Sequence, residues 1–305
     1  MKETIKYYYN VYPDSLEEIE NGVYFYLNGY KYYFVKYDRN PVEIAFLVQI
    51  SNELFKRNIL VDTFIKTKDN NFFVNVNEKV YVLLRVNSIE NDVYDLKDII
   101  DFNNKIVTDK QIHMGWANLW MKRVDDLENE ISEYNTEYPL IRESFDYYVG
   151  LAENAISYFN DILIEEDIRA VKINLNHKKI LNPTCSGLIN NPLTFTFDYE
   201  VRDIAEYIKT SFFEGEFYLE DIYEVLKRNF SRASLRMLYA RLLYPNYYFN
   251  ALERVFVLDE EEKIINKYVE KINEYEKFLD EVYKIINKKV SIPPVQWLNS
   301  KKWFI

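Results

Sequence analysis

The chain has 305 residues, of which six are glycine, two are histidine and one is cysteine. Lysine and arginine total 38 against 49 aspartate and glutamate, and the resulting net charge of −11 argues against a nucleic-acid partner. A lone cysteine excludes an intrachain disulfide and a cysteine-based zinc site. No apolar run approaches the ~20 residues that span a bilayer, and the N-terminus lacks an apolar signal core. We therefore expect cytoplasmic synthesis and no membrane partner.

The glycines are too widely spaced for the familiar nucleotide-binding loops. Gly22 and Gly29 are the nearest pair, so neither G-x-G-x-x-G nor G-x-x-x-x-G-K-[ST] occurs in the chain. Any nucleotide must therefore be bound without a glycine-rich cradle.

The first 86 residues have the pattern of a sheet that carries one helix. Val23–Leu27 and Lys31–Tyr37 flank Asn28-Gly29, which is a strong hairpin signal. A helical pattern opens at Pro41 and ends at Asn58. Three further strands are predicted at Leu60–Thr67, Asn71–Val76 and Lys79–Val86. The predicted order is β-β-α-β-β-β.

Residues 87–305 have mainly helical patterns, interrupted near the middle by short extended segments. Extended structure is predicted at Ala170–Asn176 and Leu193–Phe197, with a polar loop between them, and the closing segment 292–298 is predicted to be a non-helical strap. Helices are predicted at Asp109–Tyr134, Glu143–Leu163, Val201–Phe213, Leu219–Arg228, Ser231–Tyr244, Asn246–Val257 and Glu260–Lys288. We expect an α+β fold with a sheet lobe over 1–86, a helical lobe over 87–305 and a cleft at their junction.

This order of elements is that of a protein-kinase-like fold, and Lys36 is the first residue that fits its chemistry. A strand lysine followed by a helical glutamate, here Glu43, is typical of the ion pair that positions nucleotide phosphates. The alternative interpretation is a solvated strand lysine and a glutamate favoured by a helix N-terminus.

The segment His177-Lys178-Lys179 lies where small-molecule kinases of this fold carry His-Gly-Asp. That Asp orients the attacking hydroxyl and accepts its proton. Lys179 occupies its position here, and a lysine with a pKa near ~10.4 cannot act as a carboxylate base at neutral pH. Thr184 stands where a metal-binding Asn is expected. We interpret His177 as a structural residue that braces the loop.

Asp198 follows the apolar alternation of Leu193–Phe197 and is a candidate Mg²⁺ ligand. The alternative is an ordinary aspartate at a strand end. Asp203 is interpreted as a helix cap or as a loop-bracing carboxylate.

Segments distributed along nearly the whole chain carry a family resemblance. They are Trp116–Arg123, Asp126–Glu128, Tyr147–Ile156, Asn176–Ile180, Asp198 with Arg202–Ile208, Leu242–Pro245 and Ile292–Leu298. Through them the chain resembles the kinase-like spore-coat proteins of the CotS and YutH type, relatives of aminoglycoside and choline phosphotransferases. The resemblance implies a two-lobed phosphotransferase-like fold, a place in the coat of bacterial endospores, and other spore-coat proteins as partners.

The resemblance leaves three functions open. The first is a structural or assembly role for a catalytically impaired kinase fold. The second is a small-molecule phosphotransferase with an altered site, and the third is a pseudokinase that binds ATP. ATP and Mg²⁺ are the cofactors implied for the latter two, with Lys36 and Glu43 at the nucleotide and Asp198 at the metal. The departures at Lys179, at Thr184 and at the glycine loop favour the first.

Overall fold

The computed structural model describes residues 1–87, 92–108, 115–134, 138–180, 184–217 and 219–301. The chain forms two compact units, one of Met1–Tyr94 with Thr184–Thr196 and the other of Asp95–Pro183 with Phe197–Ile305. The sequence assigned 184–196 to the helical lobe. The segment instead groups with the first unit, where Thr184–Cys185 pairs antiparallel with Val93–Tyr94.

The first unit is built on an antiparallel sheet with the strand order β1-β2-β3-β6-β4, in which β5 also pairs with β6. Its elements are α1 (Lys2–Tyr9), β1 (Glu17–Ile19), β2 (Gly22–Leu27), β3 (Tyr30–Lys36), α2 (Val42–Lys56), β4 (Thr63–Phe64), β5 (Val74–Val76), β6 (Lys79–Arg85), β7 (Val93–Tyr94), β10 (Thr184–Cys185) and α6 (Ser186–Ile189). The predicted sheet with one long helix is confirmed. The strand predicted over 60–67 is reduced to the two residues of β4.

Helix α1 was not predicted, because eight residues are too few for a helix to be stable without packing. Its buried side chains Ile5 and Tyr9 supply that packing, since they join Phe25, Phe34 and other sheet residues in one apolar cluster.

The predicted hairpin between β2 and β3 is confirmed. Asn28 and Gly29 both have positive φ, at 51° and 78°, as a two-residue hairpin turn requires. Gly22 at the start of β2 is needed for a different reason. A Cβ at this position would lie 2.2 Å from the carbonyl oxygen of Phe34, so only glycine fits against the neighbouring strand.

The second unit is mainly helical. Its elements are α3 (Leu96–Asn103), β8 (Val107–Thr108), α4 (Trp116–Tyr134), α5 (Pro139–Glu165), β9 (Ile173–His177), β11 (Phe195–Tyr199, from Phe197 on), α7 (Arg202–Glu214), α8 (Glu220–Lys227), α9 (Arg232–Leu243), α10 (Asn246–Leu258), α11 (Asn266–Val269), α12 (Ile272–Lys289) and α13 (Gln296–Ser300). Strand β9 lies between β11 and β8 in a three-stranded sheet.

Helix α9 forms the centre of this unit. Every residue from Ala233 to Leu243 is buried, as expected of a helix surrounded by others. It packs against α5, α7 and α12. Two arginines, Arg236 and Arg241, lie within this buried helix and therefore need internal partners.

Two predictions for this unit need correction, and one helix was missed. The helix predicted over 260–288 is divided into a 3-10 turn at Glu262–Ile265, the short α11 and the longer α12. The predicted strap is non-helical only to Val295, after which α13 begins. Helix α3 was not predicted, although Asp95 and Asp98 form a capping box at its start. The first residues predicted for α4, 109–114, lie outside the described part. No described helix has the length and apolarity to cross a membrane.

Candidate functional site

The residues predicted to hold nucleotide phosphates lie in the first unit and each has a neighbour in sequence as its partner. Lys36, the last residue of β3, forms an ion pair with Asp38. Glu43, in the first turn of α2, forms an ion pair with Arg39, which also donates to the Phe195 carbonyl oxygen at 2.9 Å. The expected pair between Lys36 and Glu43 is therefore not formed. A role for either residue at a nucleotide stays a prediction.

In the second unit, Asp203 ties the end of β9 to the start of α7. It is fully buried and accepts hydrogen bonds from the His177 backbone N–H at 3.0 and 3.1 Å and from the Asn103 amide at 3.1 Å. The Nδ1 atom of His177 lies 2.6 Å from an Asp203 oxygen. Asn176 accepts from the Asp203 backbone N–H at 3.2 Å. Asp203 thus braces the loop, and it is not the cap of α7, a position held by Val201.

Asp198, the candidate metal ligand, lies at the centre of a second buried network. Its side chain has no exposed surface and accepts hydrogen bonds from four donor groups. These are the Trp116 indole N–H at 2.9 Å, the Tyr199 backbone N–H at 2.7 Å, Arg202 at 2.7 Å, and Arg241, which reaches both carboxylate oxygens at 3.0 and 3.1 Å. Both oxygens therefore bind guanidinium groups.

The two arginines come from different helices, α7 and α9, and both lie against the ring of Trp116. The guanidinium carbon of Arg241 is 4.5 Å from the ring centroid, and that of Arg202 is 5.2 Å from it. Such geometry adds cation–π attraction to the ion pairs. Burial lowers the pKa of Arg241 from its ordinary value, with the attraction of Asp198 opposing the change. Burial also acts against ionisation of Arg202, but the charge of Asp198 outweighs it and raises the pKa.

A third charged group, Lys209 of α7, is buried beside these arginines. Its ammonium donates to Glu206 at 2.9 Å and to the Arg241 carbonyl oxygen at 3.0 Å, and it also contacts Asn246. Burial lowers the pKa of Lys209, while the same ammonium holds the pKa of Glu206 below its ordinary value despite the burial of that carboxyl. The two side chains are therefore partners of each other within the interior.

Lys179, at the position of the expected catalytic aspartate, is exposed and lines a cavity of this unit. Within the described residues it has no ion pair with Asp198, whose cationic partners are arginines instead. Arg202 also donates to the His177 and Lys178 carbonyl oxygens, at 3.2 and 3.3 Å, and so fixes the backbone before Lys179. Thr184 lies in β10 of the first unit, and its side chain is outside the described part.

The donor set around Asp198 does not fit Mg²⁺. A carboxylate that binds Mg²⁺ must offer oxygen lone pairs to the cation. Here those lone pairs are taken by N–H groups, two of them from cations that would repel a metal. Among the residues that the structure describes, no group of three or more His, Cys, Asp or Glu side chains could hold a metal ion.

The sequence did not reveal that Trp116, Arg202 and Arg241 donate hydrogen bonds to the Asp198 carboxylate. The available signal was Arg241 itself. An arginine between apolar neighbours in a buried helix implies an internal carboxylate partner. Nothing in the sequence showed which carboxylate, because Arg241 and Asp198 are 43 residues apart.

Solved structures with low sequence identity share the fold. An aminoglycoside phosphotransferase from Alicyclobacillus acidocaldarius superposes with a TM-score of 0.66 at 12% identity, covering 90% of this chain and 93% of that one. The AMP-bound spectinomycin phosphotransferase superposes with a TM-score of 0.58 at 12% identity, covering 92% and 93%. The predicted α+β, protein-kinase-like fold is confirmed.

A relative found by sequence comparison has a higher identity than these structures. The chain is 31% identical to the endospore coat-associated protein YutH of Bacillus subtilis over 208 residues, a match that spans 60% of this chain and 61% of that protein. The match therefore covers less than two thirds of the relative's length. A sequence model described as spore coat putative kinase YutH matches residues 2–282. The chain belongs to this spore-coat kinase-like family.

Proposed function

We propose that this chain is a component of the bacterial endospore coat, in which a kinase-like fold serves assembly with other coat proteins and lacks Mg²⁺-dependent phosphotransfer. Membership of the spore-coat family and the coat association of the Bacillus subtilis relative support the location. The observation that supports the loss of catalysis is the network around Asp198.

A working metal site at Asp198 would require the arginines to move. Arg202 and Arg241 place two positive charges on this one carboxylate, and Arg241 is only 4% exposed. Displacing them would leave buried cations without a partner, which costs about 3–5 kcal/mol for a broken buried pair. Lys179 supports the same conclusion. A correctly positioned general base typically accelerates the reaction by ~10²–10⁴-fold, and a lysine cannot replace a carboxylate in that role.

A thermal unfolding titration with ATP, with and without Mg²⁺, tests the catalytic part. A ligand at 100 times its Kd stabilises a protein by about 2.7 kcal/mol, which is roughly 4 °C in Tm for a chain of this size. We expect no Mg²⁺-dependent rise in Tm with millimolar ATP, while the spectinomycin phosphotransferase serves as the positive control. A Mg²⁺-dependent rise, accompanied by transfer of phosphate, would overturn the proposed loss of catalysis.

The location has its own test. A fluorescent fusion of the chain, produced in a spore-forming host under a sporulation promoter, is expected in the coat and in the extracted coat fraction. The same reporter without the chain is the control. A fusion that stays in the mother-cell cytoplasm and is missing from extracted coats would contradict the coat role.

A further inference from the structure

A cavity of about 830 Å³ lies in the second unit, among residues of α4, α7, α9 and α10 and the segment after β9. Its walls are strongly basic although the chain as a whole is acidic. The lining includes two glutamates, Glu206 and Glu214, and eight cationic side chains: Arg123, Lys178, Lys179, Arg202, Lys209, Arg241, Arg254 and Lys267.

Several of these cations are neutralised by their own carboxylate. The pairs are Arg123 with Glu253, Lys209 with Glu206, Arg254 with Glu260 and Lys267 with Glu214. Arg202 and Arg241 are different, because they share the single charge of Asp198. Lys179 has no acidic partner among the described residues. Arg202, Arg241, Lys179 and Asp198 together therefore carry a surplus of two positive charges.

Arg241 also keeps hydrogen-bonding capacity that the protein does not use. A guanidinium has five N–H donors, and Asp198 receives only those of one terminal nitrogen. The Nε atom of Arg241 is buried and has no hydrogen-bond partner in the described structure. An unused buried donor is costly, so an acceptor near this guanidinium would be favoured.

Aromatic side chains form part of the remaining wall. Trp116, Trp120 and Tyr244 line the cavity, and the rings of Trp120 and Tyr244 stack with their centroids 4.4 Å apart. Cavities of ~300–1,000 Å³ that combine apolar walls with a few polar groups are typical of small-molecule sites. The surplus of positive charge and the aromatic side chains therefore set two requirements for a ligand.

We propose that this cavity binds a small organic anion, in which a phosphate or carboxylate group faces Arg202, Arg241 and Lys179 and an apolar or aromatic body lies along Trp116 and Trp120. The site does not depend on metal binding at Asp198, because it uses the arginines in the positions they already hold. It is independent of the proposed coat function, and either can fail without the other.

Phenyl phosphate and benzoate are the probes, since each joins an anionic group to an aromatic ring. Phenol and benzylamine are the matched neutral and cationic probes. Tryptophan fluorescence and calorimetry at fixed ionic strength measure binding to the whole chain. We expect saturable binding of at least one anionic probe with a Kd of about 0.1–1 mM, and at least tenfold weaker binding of phenol and benzylamine.

Lys179→Glu assigns the binding to the cavity, because this exposed side chain can change without loss of an internal contact. We expect it to weaken the anionic probe by about tenfold or more, since it replaces an attraction at the site by a repulsion. Lys277→Glu, an equal charge change at an exposed position of α12 outside the cavity, is the control and is expected to change Kd less than about twofold.

Three results would overturn the proposal. The first is no saturable binding of either anionic probe at ~10 mM. The second is equal binding of benzylamine, and the third is equal weakening by Lys179→Glu and Lys277→Glu. If only phenyl phosphate binds, the anion is a phosphate, and if only benzoate binds, it is a carboxylate.

Discussion

Two charged residues, Lys36 of the sheet unit and Asp198 of the helical unit, differ in how far along the chain their partners lie. In the sheet unit, Lys36 and Asp38 are two positions apart, and their side chains are 36% and 59% exposed. In the helical unit, Asp198 is unexposed and takes partners from Trp116, 82 residues earlier, and from Arg241, 43 residues later. Exposed local pairs contribute little to stability, whereas a buried group with distant partners helps to hold the fold together. Substitutions at both places measure this difference.

The largest expected effect is at Asp198. Asp198→Asn keeps the shape of the side chain but leaves Arg202 and Arg241 buried without a counter-charge, so we expect the free energy of unfolding to fall by about 3–5 kcal/mol. Urea denaturation followed by circular dichroism measures it. Asp161→Asn, at an exposed position of α5, is the control and is expected to change little. A loss below ~1 kcal/mol at Asp198 would show that the network is not structural.

At Glu200 we expect an intermediate effect on the free energy of unfolding, and this effect depends on pH. This carboxyl is 6% exposed and accepts from the Ser234 hydroxyl at 2.6 Å, and burial raises its pKa from the ordinary 4.5. The folded state therefore favours the protonated form, whose stabilising effect is fully present below pH 4.5 and is lost as the pH rises through the raised pKa. Glu200→Gln mimics the protonated form and should not suffer this loss.

We expect Glu200→Gln to match the native protein near pH 4.5 and to become increasingly more stable than it as the pH rises toward 7. Urea denaturation at a series of pH values provides the measurement. Glu153→Gln, exposed on α5, is expected to show no such trend. A Glu200→Gln chain that loses stability relative to the native one with rising pH would reverse the assigned sign.

The smallest effect is expected at Lys36. Lys36→Gln removes a partly exposed ion pair with Asp38, so the free energy of unfolding should change by less than about 1 kcal/mol. The same urea experiment applies, and added salt should reduce the difference further. A loss above ~2 kcal/mol would place Lys36 in the same class as Asp198 and remove the contrast between the units.

Local patterns in the sequence predicted the elements that depend on local chemistry. Asn28-Gly29 specified the hairpin because both residues tolerate positive φ, and the apolar spacing over 44–54 specified the buried face of α2. Helix α1 was missed because tertiary packing of Ile5 and Tyr9 stabilises it. The division of the segment 260–289 into a 3-10 turn and two helices was missed because the polar, helix-favouring residues there match a single helix equally well.

The candidate site was predicted less completely, for the same reason. Asp198 was recognised from its place after an apolar strand, and His177 from its place in the loop. The fold brings α4, α7 and α9 together, and these helices supply the side chains that bind the Asp198 carboxylate. A single sequence does not show such pairings. The departure at Lys179 was visible, but the arginines that carry positive charge to Asp198 were not.

The Asp198 network also constrains which substitutions this chain can accept. Three separate helices supply Trp116, Arg202 and Arg241, so no single substitution frees the carboxylate from its cations. Removing one arginine leaves the other in place, and removing the aspartate leaves both without a counter-charge. A variant with a metal-binding aspartate at this position would need coordinated changes on two helices, and the single changes would give less stable proteins.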